Sequence, residues 1–86
     1  MDEHDYFETT DPNIGTWLIT NKIAFRGVAP LPDGYTIFRF KPDERITALI
    51  DDFNNGAQCS AKDFCANYRF LNGQIKQLRR RNGGTK

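Results

Sequence analysis

The sequence predicts an α+β domain with a small, mostly antiparallel sheet and the element order β-α-β-β-α-α. Three observations predict this class. Two stretches rich in β-branched and aromatic residues flank a Pro-Asp-Gly turn, which is typical of a hairpin. Apolar residues recur at helical spacing in two later segments. The chain has 86 residues, which is enough for one hydrophobic core and no more.

The chain opens with an acidic leader, residues 1–5, which we expect to be flexible. Tyr6 to Thr9 is aromatic and β-branched and predicts a short strand. Asp11 then precedes Pro12, a strong helix start, because proline lacks only a donor that would be unpaired at the first helical position. We expect this helix to fade near Asn21. Its apolar side consists of Ile14, Trp17 and Leu18.

The hairpin is predicted from Ile23–Val28 and Tyr35–Lys41, joined by the turn Leu31-Pro32-Asp33-Gly34. Proline presets φ in such a turn and glycine supplies a positive φ. Because side chains alternate along a strand, Phe38 and Phe40 should share one face. The opposite face should carry Tyr35, Ile37, Arg39 and Lys41, joined by Arg26 from the partner strand.

Pro42-Asp43-Glu44 should open a second helix, with acidic side chains where the helix dipole favours them. Asn54-Asn55-Gly56 should end it, since glycine and asparagine readily adopt the left-handed cap. Between them the apolar residues recur at positions i, i+3, i+4 and i+7, which indicates one buried side. These residues are Ile46, Leu49, Ile50 and Phe53.

A long third helix is predicted from Ser60 to Arg81, where Ser60 and Asp63 resemble a capping box. Asn72-Gly73 could end it early, but the apolar spacing continues through this pair, so we predict one helix. The apolar stripe consists of Phe64, Tyr68, Leu71, Ile75 and Leu78. The single domain should therefore span residues 6–81, followed by a disordered tail over residues 82–86.

Charge is distributed unevenly along the chain. The first 11 residues hold five acidic side chains and no Lys or Arg, whereas the last 25 hold seven basic side chains and one acidic one. Four of the basic residues align over roughly 27 Å at 1.5 Å per residue, a length that covers several phosphates. The candidate nucleic-acid-binding residues are Lys62, Arg69, Lys76, Arg79, Arg80 and Arg81. The alternatives are a solvated helix face and a protein contact.

Two further surfaces are candidates for binding. Tyr35 and Arg39, with Arg26, could stack the bases of a single strand, although the Gly-aromatic-Gly pattern of an RNA-recognition motif is absent. Alternatively, a second subunit or the first helix covers this face. Phe70 lies off the apolar stripe of its helix and could contact another protein. The four-three spacing of the stripe would also suit pairing between chains, so a homodimer is an open alternative to packing on the domain's own core.

Catalysis has little basis in this sequence. The single histidine, His4, lies in the leader, and no nucleotide loop, nucleophile elbow or metal motif is present. Cys59 and Cys65 are too few for a zinc site and suit a reducing cytoplasm. No apolar run approaches the roughly 20 residues that span a membrane. We therefore expect a cytoplasmic protein that is not an enzyme and needs no cofactor.

The opening Tyr6-Phe7-Glu8-Thr9-Thr10-Asp11, followed by Trp17-Leu18 and Phe38-Arg39-Phe40, resembles a family of small uncharacterised proteins of bacteriophages, prophages and other mobile elements, a domain of unknown function. The similarity continues through Phe53-Asn54-Asn55-Gly56 and Phe64 and covers most of residues 6–80. It brings no established activity and no catalytic residues. It implies a small accessory protein in a bacterial cytoplasm that acts on nucleic acid or on a host protein.

These observations favour a non-enzymatic accessory or regulatory protein that binds the nucleic-acid backbone, DNA or RNA, without reading bases. The alternative is a protein-interaction module, such as an inhibitor of a host defence complex of the anti-CRISPR kind. In that case Phe70 and the sheet face would make the contacts.

Overall fold

A computed structural model describes residues 5–83, and for residues 81–83 it describes the backbone only. It confirms the predicted fold class and element order. The elements are β1 (Phe7–Thr9), α1 (Pro12–Thr20), β2 (Phe25–Pro30), β3 (Thr36–Phe40), α2 (Ile46–Asn54) and α3 (Ala61–Gly83). Most of the predicted leader and the last three residues of the predicted tail lie outside the described residues.

The sheet has three antiparallel strands in the order β1-β3-β2, so β3 is central. Phe7 and Phe25 both lie opposite Phe40, and these three phenylalanines point to one side. A bulge at Arg26 shifts the register between Phe25 and Gly27, and the φ of Gly27 is +123°. The bulge leaves Arg26 without a partner residue on β3.

The helix start and the hairpin turn that the sequence predicts in the first half of the chain are confirmed. The Asp11 carboxylate accepts hydrogen bonds from the backbone N–H of Asn13 (2.8 Å) and of Ile14 (3.4 Å), which caps α1. In the hairpin turn, the Leu31 N–H donates to the Tyr35 carbonyl at 2.8 Å. Gly34 lies in the turn with φ +94°, a conformation that favours glycine.

The entry to α2 differs from the prediction. The helix begins only at Ile46, so Asp43 and Glu44 precede it instead of occupying its first turn. The Asp43 carboxylate accepts hydrogen bonds from the backbone N–H of Arg45 (2.8 Å) and from its guanidinium (2.9 and 3.0 Å). Asp43 thus forms a local turn with Arg45, and this turn delays the start of the helix.

All three helices contribute to a core on the Phe38 and Phe40 side of the sheet, which gives the domain two layers. The buried cluster consists of Ile14, Leu18, Ile23, Phe38, Phe40, Ile46 and Leu71. Gly15 allows α1 and α3 to approach closely, because a Cβ at this position would lie 3.1 Å from Leu71 Cδ1. The Trp17 Nε1–H donates to the Leu49 carbonyl at 2.8 Å and joins α1 to α2.

The helix α3 is continuous through Asn72-Gly73, as predicted, and extends two residues past Arg81 to Gly83. Leu71 is fully buried and Leu78 nearly so, which shows that the apolar stripe packs on the domain's own core. Tyr68 is an exception, because 37% of its surface remains exposed. Asn67 instead faces α1, where its side-chain amide donates to Thr20 Oγ1 at 3.0 Å. No described helix is long and apolar enough to cross a membrane.

Candidate nucleic-acid interface

The outward side of α3 carries a row of exposed cations, which we call the α3 basic row. It consists of Lys62, Arg69, Lys76, Arg79 and Arg80. Steps of seven residues return a helical side chain to nearly the same side, so Lys62, Arg69 and Lys76 line up. This side lies opposite the buried Leu71. The sixth predicted residue, Arg81, lies within α3, but its side chain is outside the described part of the chain.

Within the described residues, none of the five cations of the α3 basic row forms an ion pair with a carboxylate. The single acid of α3 is Asp63 in the first turn, where the helix dipole stabilises a negative charge. The backbone N–H of Asp63 donates a hydrogen bond to Ser60 Oγ at 3.3 Å, and Ser60 thereby caps the start of the helix. The helix surface is therefore positive along almost its whole length, and its cations are available to an external anion.

The outer face of the sheet is different, because Arg39, one of its predicted cations, already pairs with a carboxylate. The Arg39 Nε–H donates to Glu8 Oε2 at 2.9 Å, and the Arg39 guanidinium lies 5.3 Å from the centre of the Tyr6 ring. Glu8 lies directly opposite Arg39 in the β1–β3 register. This contact was missed from the sequence, although both residues occupy outward positions in the predicted strands.

The three predicted sheet-face residues do not form one surface. Arg26 lies at the exposed bulge, and Tyr35 lies at the hairpin end, about 13 Å along the strand from Arg39 at 3.3 Å per residue. Tyr35 is 64% exposed and lies instead beside Arg79. The two residues line a cavity of about 290 Å³ between the hairpin turn and the C-terminal part of α3.

A second tyrosine lies beside the α3 basic row. Tyr68 and Arg69 line a cavity of about 360 Å³ near the start of α1, together with Asn13, Phe64 and Cys65. The sequence placed Tyr68 in the apolar stripe, because its spacing from Phe64 and Leu71 is helical. Its partial exposure depends on where α1 crosses α3, and the spacing of one helix does not contain that information.

Phe70 is exposed, as its position off the stripe predicted, but it has an intramolecular partner. Its ring packs edge-to-face on Phe25 at a centroid distance of 5.5 Å, and Phe25 packs on Phe40 at the same distance. Phe70 nevertheless keeps 45% of its surface exposed. It therefore joins α3 to β2 and is only partly available to another protein.

Two further cavities are lined by residues that do not belong to the α3 basic row. One cavity of about 390 Å³ lies between β1 and α2, and another of about 420 Å³ is lined by Trp17, Phe53 and both cysteines. Cys59 and Cys65 are free and exposed. In residues 5–83, no group of three or more His, Cys, Asp or Glu side chains is placed to hold a metal ion.

The fold and the basic row define a small α+β domain with a long cationic C-terminal helix. The chain belongs to the family DUF5659, a domain of unknown function, whose family model matches residues 4–78. This confirms membership of an uncharacterised family. The match ends before Arg79 and Arg80, so two cations of the row lie beyond it. Neither a curated protein nor a solved structure matches this chain.

Proposed function

We propose that this protein is a non-enzymatic accessory or regulatory protein of a phage or mobile element, acting in a bacterial cytoplasm. It binds the backbone of nucleic acid through the α3 basic row, without reading base sequence. One observation carries the proposal: five exposed cations lie on one helix, and no described carboxylate pairs with any of them.

Counterion release supplies the affinity. Each cation that neutralises a phosphate releases condensed counterions. For each such contact, the logarithm of the binding constant rises by about 0.7 to 0.9 when the salt is diluted tenfold. The row from Lys62 to Arg80 spans roughly 27 Å at 1.5 Å per residue, so one nucleic acid can engage several cations together. Leu71 is buried against α1 and the sheet, which fixes the helix and holds the row in place.

The test is a binding titration of random single- and double-stranded DNA and RNA against the wild type and Lys76→Glu/Arg80→Glu. The charge reversal should weaken binding by at least roughly 30-fold at 0.1 M salt, since two phosphate contacts are lost. The matched control is Lys22→Glu/Lys41→Glu, which makes the same change in net charge at two exposed residues outside α3. Equal loss in both variants, or no binding at low salt, would refute the proposal.

A protein-interaction module, such as an inhibitor of a host defence complex of the anti-CRISPR kind, is the second candidate. It is favoured by the sheet face opposite the core, where Ile37 is only half-buried, and by the exposed part of Phe70. A homodimer formed through the outer face of the sheet would fit this alternative. Changing Phe70 or Ile37 should then abolish capture of the partner protein. The activity should not depend on nucleic-acid binding, so loss of that binding in the α3 charge-reversal variant should leave the activity unchanged.

A further inference from the structure

We infer that the ligand of α3 is single-stranded nucleic acid, with Tyr68 and Tyr35 stacking two of its bases. This inference rests on the proposed function and narrows it to one class of nucleic acid. The observation behind it is that each described tyrosine near α3 shares a cavity with an arginine of the α3 basic row.

The first pair is Tyr68 with Arg69. The tyrosine lies at the boundary between the core and the basic row, and 37% of its surface is exposed. Its cavity of about 360 Å³ is also lined by Asn13, whose side-chain amide offers both a donor and an acceptor. An aromatic wall, an adjacent guanidinium and one amide together match what an unpaired base presents, namely a π-face and polar edges.

The second pair is Tyr35 with Arg79. The hairpin turn brings Tyr35 to the C-terminal part of α3, where both side chains line a cavity of about 290 Å³ with Leu31 and Leu78. Tyr35 is the most exposed of the large hydrophobic residues, at 64%, so a base can reach its ring without displacing other side chains. At this second site, as at the first, a tyrosine ring and an arginine line the same cavity.

The two pairs lie on one flank of α3. Tyr68 and Arg79 are eleven residues apart, which is close to three full turns, so they project to the same side. The separation is roughly 16 Å at 1.5 Å per residue, and Lys76 lies between them. A single strand of nucleic acid that follows this flank would place bases on the two tyrosine rings. Its phosphates would then lie on Arg69, Lys76 and Arg79.

A duplex does not use these features. Its bases are paired and stacked on one another, so it offers phosphates to the cations but no free base face to the tyrosines. Stacking on aromatic side chains is a property of single strands and is tolerant of sequence. The combination of tyrosines with the basic row therefore favours a single strand over a duplex.

The experiment compares a fluorescein-labelled 20-nucleotide oligo(dT) and oligo(U) with a random 20-base-pair DNA duplex at one salt concentration. Three variants are used: Tyr35→Leu/Tyr68→Leu, Tyr35→Phe/Tyr68→Phe and, as control, Tyr6→Leu on the sheet face. The leucine pair should weaken single-strand binding roughly tenfold per tyrosine and leave duplex binding unchanged. The phenylalanine pair keeps the rings and should bind like the wild type.

Equal affinity for single strand and duplex, with no effect of the leucine pair on either, would overturn the inference and leave the proposed function standing. No binding of any probe at low salt would overturn both. Circular dichroism and a urea titration establish that each variant is folded. If the double variant does not fold, Tyr35→Leu alone decides the matter, because that side chain is largely exposed and its loss should still weaken single-strand binding alone.

Discussion

The outer face of the sheet and the outward side of α3 both expose arginine beside tyrosine, but the two surfaces differ in how their charges are satisfied. On the sheet, Arg39 is bound by Glu8 at 2.9 Å and packs against Tyr6. On α3, no described carboxylate pairs with the basic row. The comparison shows that two surfaces of similar exposure and composition can differ in whether a carboxylate of the same chain already pairs with their cations.

The difference has a simple structural cause. The strand β1 pairs with β3 and places Glu8 directly opposite Arg39, so the sheet neutralises its own cation. The cations on the outward side of α3 are exposed, and the one acidic residue of this helix lies in its first turn.

Removing the anchor of α3 should have the largest effect. Leu71→Ala empties a fully buried position and should lower the free energy of unfolding by about 2–5 kcal/mol. Urea denaturation measures the loss, and Gln77→Ala, at an exposed position of the same helix, should change it by less than about 0.5 kcal/mol. A loss below about 1 kcal/mol for Leu71→Ala would be inconsistent with a fully buried Leu71 side chain.

Neutralising one arginine on each surface should show which of the two surfaces binds nucleic acid. Arg79→Gln should weaken nucleic-acid binding about 5- to 8-fold at 0.1 M salt, the contribution of one phosphate contact. Arg39→Gln, which makes the same change in charge, should leave the affinity unchanged because Arg39 is already paired with Glu8. Fluorescence anisotropy with one probe measures both, and equal losses would remove the distinction between the two surfaces.

The Glu8–Arg39 pair itself should contribute little to stability. Both side chains are more than a third exposed, so solvent screens the attraction. Glu8→Gln should lower the free energy of unfolding by about 0.2–1 kcal/mol, and less at high salt. A urea titration at low and high salt measures this. A loss that is large and independent of salt would mean that the contact acts through packing rather than charge.

The smallest effect concerns Asp43 at the entry to α2. The hydrogen bonds and the charge of Arg45 lower the pKa of Asp43 from its ordinary value of 3.8 to about 2. Because the folded pKa lies below the unfolded one, the stabilisation is present above pH 3.8 and is lost as the pH falls from 3.8 to 2. Asp43→Asn should remove this part of the acid dependence, measured as the urea midpoint across that range. If Asp43→Asn leaves the pH dependence of the urea midpoint unchanged, other carboxylates account for that dependence.

Local signals in the sequence were sufficient for most of the fold. The Asp11-Pro12 start, the Gly34 turn and the periodicity through Asn72-Gly73 each rest on chemistry within a few residues, and the structure confirms all three. The alignment of the α3 basic row follows from helix geometry in the same way. These features need no knowledge of which elements pack together.

Most of what the sequence did not reveal depends on contacts between distant segments, and the late start of α2 is the exception. Glu8 meets Arg39 only because β1 lies beside β3, and Tyr68 is partly exposed only because of the way α1 crosses α3. Tyr35 reaches Arg79 through the hairpin rather than through its own strand face. The late start of α2 is a local effect, in which Asp43 hydrogen-bonds Arg45 before the helix begins.

The salt dependence of binding reports how many phosphates the α3 basic row neutralises. The measurement is the slope of log affinity against log salt for one nucleic acid, in the wild type and in Arg69→Gln/Lys76→Gln/Arg80→Gln. If these cations hold phosphates, the slope should become shallower by about 2 to 3, since each contact contributes about 0.7 to 0.9. An unchanged slope, or a wild type that does not bind at low salt, would show that the α3 basic row does not hold phosphates.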